Sequence, residues 1–428
     1  MTDVTSATIG DRNSNGILTA ADGTPLKDAL NRANARARRR AFFLVLPLLA
    51  FVVITFAIPI AQLLYRSVYN PAFSANMPQI SAWFAANPQK TGVPDEEGFK
   101  ALVLDLVEAR KNKTVGQVGV RVNYELSGAN SLFKSSARNA GKITGPPYKE
   151  QLLELKPKWD DPHLWSVMRR ASSAHTMAFY LAAVDLAFAP DGDVTKVDEK
   201  RRIYVPLFVR TLFLSAVIGI LCLLLGFPIA HLLATLPLRY SNLLMIFVLL
   251  PFWTSLLVRT TSWMVLLQSQ GVVNDFLVAI GVVGDDGRIQ MMYNQIGTVV
   301  AMTHILLPFM VLPLYSVMKT IPPSFVRAAR SLGANPFTAF WRVYFPLTVP
   351  GIGAGSLLVF ILAIGYYITP ALVGGASGQL ISNLIAFHML KSLNWSLAAA
   401  LAALLLFGVI LLYWLYDRLI GVDNMKLG

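Results

Sequence analysis

Cysteine is almost absent from this chain of 428 residues: the only one, Cys222, lies inside an apolar run, so no intrachain disulfide and no cysteine metal cluster can form. Histidine is nearly as scarce. The five, His163, His175, His231, His304 and His388, show no metal-ligand spacing and no nucleophile or base pattern, so no catalytic residue and no metal ligand is nominated. No stretch reads Gly, four residues, Gly-Lys-Ser/Thr, which excludes nucleotide hydrolysis on a phosphate loop of its own. Charged residues make up 14% of the chain, against roughly a quarter in a soluble domain. Carboxylates in particular are missing from 203–274 and 287–416 apart from Asn and Gln relatives that carry no charge. Proton- or sodium-coupled secondary transport would call for such acids and for paired internal repeats, and neither is present.

What is abundant is hydrocarbon. Hydrophobic residues form 55% of the sequence and collect in long runs, which makes hydropathy the organising principle. The net charge of +13 sits largely beside those runs, where Lys and Arg set topology; no nucleic-acid reading module accompanies it, so no nucleic-acid partner is expected and membrane lipid is.

Residues 1–40 read as a basic cytoplasmic tail, disordered over 1–30, with Arg32, Arg36, Arg38, Arg39 and Arg40 holding the amino terminus inside. The run 41–64 is too long for a cleaved signal peptide and long enough to cross about 30 Å of hydrocarbon. Residues 65–203 read as a soluble, partly helical insert outside the membrane with helical patches at 101–110 and Tyr148–Leu155. A further span at 171–190 is disfavoured, because His175 and Asp185 would lie in lipid. The apolar core, 204–421, holds runs at 204–234, 242–257, 295–318, 345–373 and 395–416, which with 41–64 give six spans. Segments 259–293 and 378–392 read as outer-surface stretches, and 422–428 as a cytoplasmic tail. The expected fold class is thus an all-α integral membrane protein with six transmembrane helices, both termini cytoplasmic.

Topology has an internal check. An inside start puts 319–344 in the cytoplasm, and this loop carries Lys319, Arg327, Arg330 and Arg342 with no acid. Pro322 and Pro323 can open a short helix that Gly333 ends; Asn335 and Pro336 then provide an N-cap and first residue for another helix running into the fifth span.

The same loop resembles the cytoplasmic signature of ABC-importer permeases: Glu-Ala-Ala, three residues, Gly, nine residues, Ile, one residue, Leu-Pro. Here the positions are Arg327-Ala328-Ala329, Gly333, Val343 and Phe345-Pro346, with both internal gaps kept and Arg327 in place of the glutamate. Likeness to the spermidine/putrescine branch extends over about 200–420 through Trp253-Thr254-Ser255-Leu256-Leu257-Val258-Arg259-Thr260, Leu307-Pro308-Phe309-Met310-Val311-Leu312-Pro313-Leu314-Tyr315, Gly355-Ser356-Leu357-Leu358-Val359-Phe360 and Thr369-Pro370-Ala371-Leu372-Val373-Gly374-Gly375. The 65–203 insert has no counterpart in it. The resemblance implies that 322–346 docks on a separate ATPase through Arg327, Ala328, Ala329, Gly333, Val343 and Pro346. It also implies a place in the bacterial inner membrane with the 65–203 insert in the periplasm, a second permease, two ATPase subunits and a periplasmic binding protein, with ATP and Mg on the ATPase and no cofactor here.

For the solute path, Tyr366 and Tyr367 fit either a cation-π role or helix packing. His304, near mid-membrane, fits either a functional group or interhelical hydrogen bonding. Trp253 and Trp263 fit interface anchors, Trp253 also a solute contact, while Arg210 and Arg259 read as side chains reaching for headgroups. The leading expectation is an importer permease for a small polar solute, polyamine-like or opine-like. A membrane-anchored sensor or scaffold built on the insert, or a secondary transporter, is the alternative.

Overall fold

The computed structural model describes residues 26–420. The expected disorder at 1–25 and the expected tail at 422–428 lie outside the described residues. The chain divides into two units, Met1–Tyr65 and Arg66–Gly428.

In the first unit the helix Leu26–Val52 passes through a π-helical turn, Val53–Ala57, and continues as Ile58–Val68. It therefore begins inside the stretch assigned from sequence to the basic tail. Asn34–Val68 meets the length and composition of a membrane span, and Leu44, Leu48 and Ile54 are exposed along it, as a lipid-facing surface requires.

The second unit starts with a helical subdomain. Helices Pro78–Ala86, Glu96–Lys111, Val115–Asn123, Ala129–Ala140, Tyr148–Leu155 and Pro162–Ala171 enclose a core that includes Phe73, Phe99, Phe133, Trp159 and Trp165. Two of its indoles are satisfied, Trp159 Nε1 donating to Ser136 Oγ at 2.9 Å and Trp165 Nε1 to the Trp159 carbonyl at 2.6 Å, whereas Trp83 Nε1 has no partner among the described residues. Buried Asp105 accepts from the Gln79 and Ile80 amides at 3.2 and 2.8 Å, filling two orphan donors at the start of Pro78–Ala86. Burial pushes its carboxyl up to about 6, with those two bonds acting in the opposite direction.

Residues 171–190 do not form a span. They give only the short helix Ala178–Ala183 and then the hairpin Leu186–Phe188 with Val194–Lys196. Asp185, at φ 57°, accepts from the amides of Ile203, Tyr204 and Val205 at 3.0, 3.1 and 2.7 Å. This acid thus caps the next long helix instead of entering lipid.

That helix, Tyr204–Thr235, packs with Gln295–Thr320 and with Pro336–Gly365 around Ile218, Cys222, Ile305, Met310, Leu314 and Val359. Close approach depends on small residues: a Cβ at Gly355 would lie 2.7 Å from Met310 Sδ. Trp395–Ile420 is the last long helix, and Leu397, Ala400 and Leu401 pack with Phe179 and Ala183 of the insert.

Among the described residues five helices are long and apolar enough to span a membrane; six are reached only if the bent pair Leu238–Trp253 and Leu256–Leu266 counts as one span. The uninterrupted span expected at 242–257 is therefore broken, with a 99° bend. The run 345–373 is likewise interrupted: its helix stops at Gly365, and Ile368–Val373 is a separate short helix. In the other direction it starts early, because Pro336–Ala339 continues through a π turn, Phe340–Tyr344, into Phe345–Gly365. Apolar content specified where these runs lie, while Pro251 and the extended residues Thr254 and Tyr366 decide where their helices stop.

Candidate functional site

Two regions concentrate the sequence-nominated residues. The first is the turn between two core helices. Pro323–Ser331 opens with Pro322 at its N-cap and closes at Gly333, whose φ is +91°. The Gly333 amide donates to the Arg330 carbonyl at 3.0 Å, and the Ala334 amide to the Ala329 carbonyl at 3.1 Å. This pair is a Schellman cap, which needs a left-handed residue. Asn335 Oδ1 then accepts from the Thr338 amide at 2.7 Å and starts Pro336–Ala339.

Around this turn Arg327, Ala328, Gly333 and Pro346 are exposed, Ala329 and Val343 half-buried. Phe325, Leu332, Phe337 and Trp341 are also exposed, Leu332 at 89% and Phe337 at 73%, with the Phe337 and Trp341 rings 6.1 Å apart, a group of large apolar side chains on one short segment. Sequence inspection missed that cluster because the motif spacing drew attention to the small and charged positions. Behind it lies a cavity of about 620 Å³ whose lining includes Arg327, Arg330, Lys319, His231 and Tyr344, the last two joined at 3.0 Å.

The second region surrounds the bend at Thr254. Ser255 Oγ accepts from the Val258 amide at 3.2 Å and starts Leu256–Leu266. Arg259, one turn on, donates to the carbonyls of Pro251 and Thr254, the latter at 3.0 Å, and to Thr254 Oγ1 at 3.4 Å. Its guanidinium thus ties carbonyls at the break instead of reaching for headgroups, sharing the Pro251 carbonyl with the Thr254 amide and hydroxyl. Arg210 is similarly engaged, donating to the Ala376 carbonyl at 3.0 Å.

His304 receives a hydrogen bond from Trp263 Nε1 at Nδ1, 3.1 Å away, and the two rings meet edge to face. Trp263 is therefore a structural partner of His304 and not only an interface anchor. Trp253 shares none of these contacts and is 76% exposed. Tyr366 is half-buried in the main core cluster, whereas Tyr367 is 42% exposed. Their carbonyls accept from Ser382 Oγ at 2.5 Å and Asn383 Nδ2 at 2.7 Å, tying the interrupted helix end to Ile381–Leu390. Nearby, Thr260 and Thr369 join the two half-helices through their hydroxyls at 3.0 Å. The structure thus brings His304 and Trp263 together and leaves Trp253 apart. The usable sequence signal for the break was Pro251 followed by Ser255, an N-cap residue inside an apolar run.

Among the described residues no cluster of three or more His, Cys, Asp or Glu is placed to hold a metal.

Residues 204–420 match the family described as binding-protein-dependent transport system inner membrane component, and the chain belongs to that family. It is a multi-pass permease component of an ABC importer of the inner membrane. Similar proteins include the spermidine/putrescine transport system permease protein PotB of Haemophilus influenzae, 37% identical over 224 residues, covering 52% of this chain and 78% of the relative. PotB of Escherichia coli strain K12 is 37% identical over 222 residues, 51% of this chain and 80% of the relative. Among solved structures, a bacterial ABC transporter that imports the acidic polysaccharide alginate is 20% identical with a TM-score of 0.42, over 52% of this chain and 80% of the other.

Proposed function

We propose that this permease moves a small polar solute from a periplasmic binding protein to the cytoplasm by alternating access, driven by ATP hydrolysis on separate subunits. The observation that carries the assignment of the coupling site is the helix, left-handed Gly333 and second helix flanked by the exposed Phe325, Leu332, Phe337 and Trp341. Apolar surface of that kind is covered by a partner, and the second helix runs without a break into Phe345–Gly365, so movement of the partner is passed directly to the membrane. Arg327, Ala328, Ala329, Gly333, Val343 and Pro346 form the contact, with Arg327 meeting acidic groups on the ATPase in place of the basic groups that a glutamate would meet.

The working assembly is a second permease, two ATPase subunits holding ATP and Mg, and the binding protein. Both termini and the 322–346 turn face the cytoplasm, a placement supported by the basic, acid-free loop. The helical insert then faces the periplasm, where it helps dock the binding protein.

The relatives named for spermidine and putrescine support a polyamine-like solute. No carboxylate lies in the described spans as far as Tyr416, so cation binding falls to aromatic faces at Tyr366, Tyr367 and Trp253, with His304, held by Trp263, as a separate candidate.

The test is purification of the tagged chain in mild detergent, with partners and cross-links identified by mass spectrometry. The expected result is an ATPase cross-linked to 322–346 and a binding protein cross-linked to 66–203. A chain that purifies without an ATPase removes the coupling assignment, and cross-links of the ATPase to the insert reverse the topology.

A further inference from the structure

The cavity of about 620 Å³ behind the Gly333 turn has the size of a small-molecule site, roughly 300–1,000 Å³, and an unusual lining. Pro323, Val326, Arg327 and Arg330, spaced i, i+3, i+4 and i+7, put one whole face of Pro323–Ser331 on it. A helix lying on a protein body ordinarily turns apolar residues inward and charges to water. Here two arginines line the cavity, while Phe325 and Leu332 of the same segment are exposed.

Lys319, from the end of Gln295–Thr320, adds a third cation, and the lining contains no Asp or Glu. All three basic residues are exposed, so an incoming ligand can reach them. Arg327 and Arg330 make no ion pair and no side-chain hydrogen bond among the described residues, and Lys319 donates once, to the Ala234 carbonyl at 3.3 Å. The neutral polar groups of the lining are spent on one another: His231 is joined to Tyr344 at 3.0 Å, and Thr235 Oγ1 donates to the His231 carbonyl at 2.8 Å. The donors left over are therefore cationic. Opposite in character are Ile321, Val326 and Phe340, apolar members of the lining that pack against the main core cluster.

Three cations gathered on one cavity repel one another, and a multiply charged oxyanion relieves that repulsion. A phosphate monoester carries a charge of about −1.5 to −2 near neutral pH, more than one carboxylate brings, and accepts paired hydrogen bonds from a guanidinium. We propose that this cavity binds an organic phosphate monoester, its phosphate held by Arg327, Arg330 and Lys319 and its apolar body lying on Ile321, Val326 and Phe340. An occupant touches both the end of Gln295–Thr320 and the turn, so its presence regulates coupling. That consequence rests on the docking of 322–346 proposed above, whereas binding by the chain alone does not.

The full chain in mild detergent, with no ATPase present, is titrated calorimetrically at low ionic strength and about pH 8, where the monoester is a dianion. The probes are phenyl phosphate and inorganic phosphate. Phenyl phosphate is expected to bind about tenfold tighter or more, because its ring adds apolar burial. Arg330→Gln, a change on an exposed side chain, should weaken it about fivefold or more, Arg330→Lys less. Arg342→Gln removes another exposed cation of the same loop that does not line the cavity, and should leave binding unchanged. No binding by the wild type, unchanged binding by Arg330→Gln, equal losses in Arg330→Gln and Arg342→Gln, or equal affinity for inorganic phosphate overturns the proposal. In the complete complex, phenyl phosphate should alter solute-stimulated ATPase in the wild type and not in Arg330→Gln. Binding by the chain without that effect overturns the regulatory consequence and leaves the site standing.

Discussion

Replacing Gly333 by valine isolates one physical effect. Its φ of +91° closes the Schellman cap, and a Cβ built there meets no atom within 4 Å. Steric conflict with the body of the protein therefore plays no part, and the whole penalty is torsional. Holding an L-residue in the left-handed region costs about 1–2 kcal/mol, with a β-branched residue at the upper end. At about 2 kcal/mol the population of the native turn relative to its alternatives falls roughly 30-fold. Because the residue lies between spans, insertion into the membrane should be unchanged. The assay is solute uptake and solute-stimulated ATPase in proteoliposomes holding the complete complex. Gly333→Val should lower both by on the order of tenfold or more, while Gly333→Asn, a side chain that tolerates this conformation, should retain most activity. Wild-type uptake by the valine variant, or equal loss in the asparagine variant, would refute the reasoning.

Two further outcomes follow from the insert. The Asp105 carboxyl rises from 3.8 to about 6 on folding because burial dominates, so the native state binds this proton more tightly than the unfolded state. The associated stabilisation is complete below pH 3.8 and is lost as pH rises through about 6, leaving at pH 7 a cost of up to about 3 kcal/mol. In the full chain, amide exchange of Pro78–Ala86, corrected for intrinsic chemistry, should quicken between about pH 4 and 6. Asp105→Asn should flatten that rise, and a rise of the same size in both proteins would exclude Asp105 as its source. Asp185→Ala should destabilise the start of Tyr204–Thr235 by about 1–2 kcal/mol, since three amides lose their acceptor. The readout is a lower unfolding temperature with faster proteolysis near 197–203; an unchanged temperature would show that water caps the helix as well.

The sequence by itself determined the membrane character, the placement of the apolar runs and the turn at Gly333. These are local properties: hydropathy sums over adjacent residues, and Pro322, Gly333, Asn335 and Pro336 act within one helical turn of their own backbone. Tertiary structure decided what distant residues do for one another. Arg259 looked like a headgroup anchor until the bend at Thr254 placed two carbonyls within its reach. Asp185 looked like a misplaced acid until the hairpin brought it to the amides of Ile203–Val205, eighteen to twenty residues on. His304 acquired its donor from Trp263 only through packing between segments that no periodicity connects. A run of hydropathy says that backbone groups must be satisfied within the membrane; which side chain satisfies them at a break depends on three-dimensional proximity.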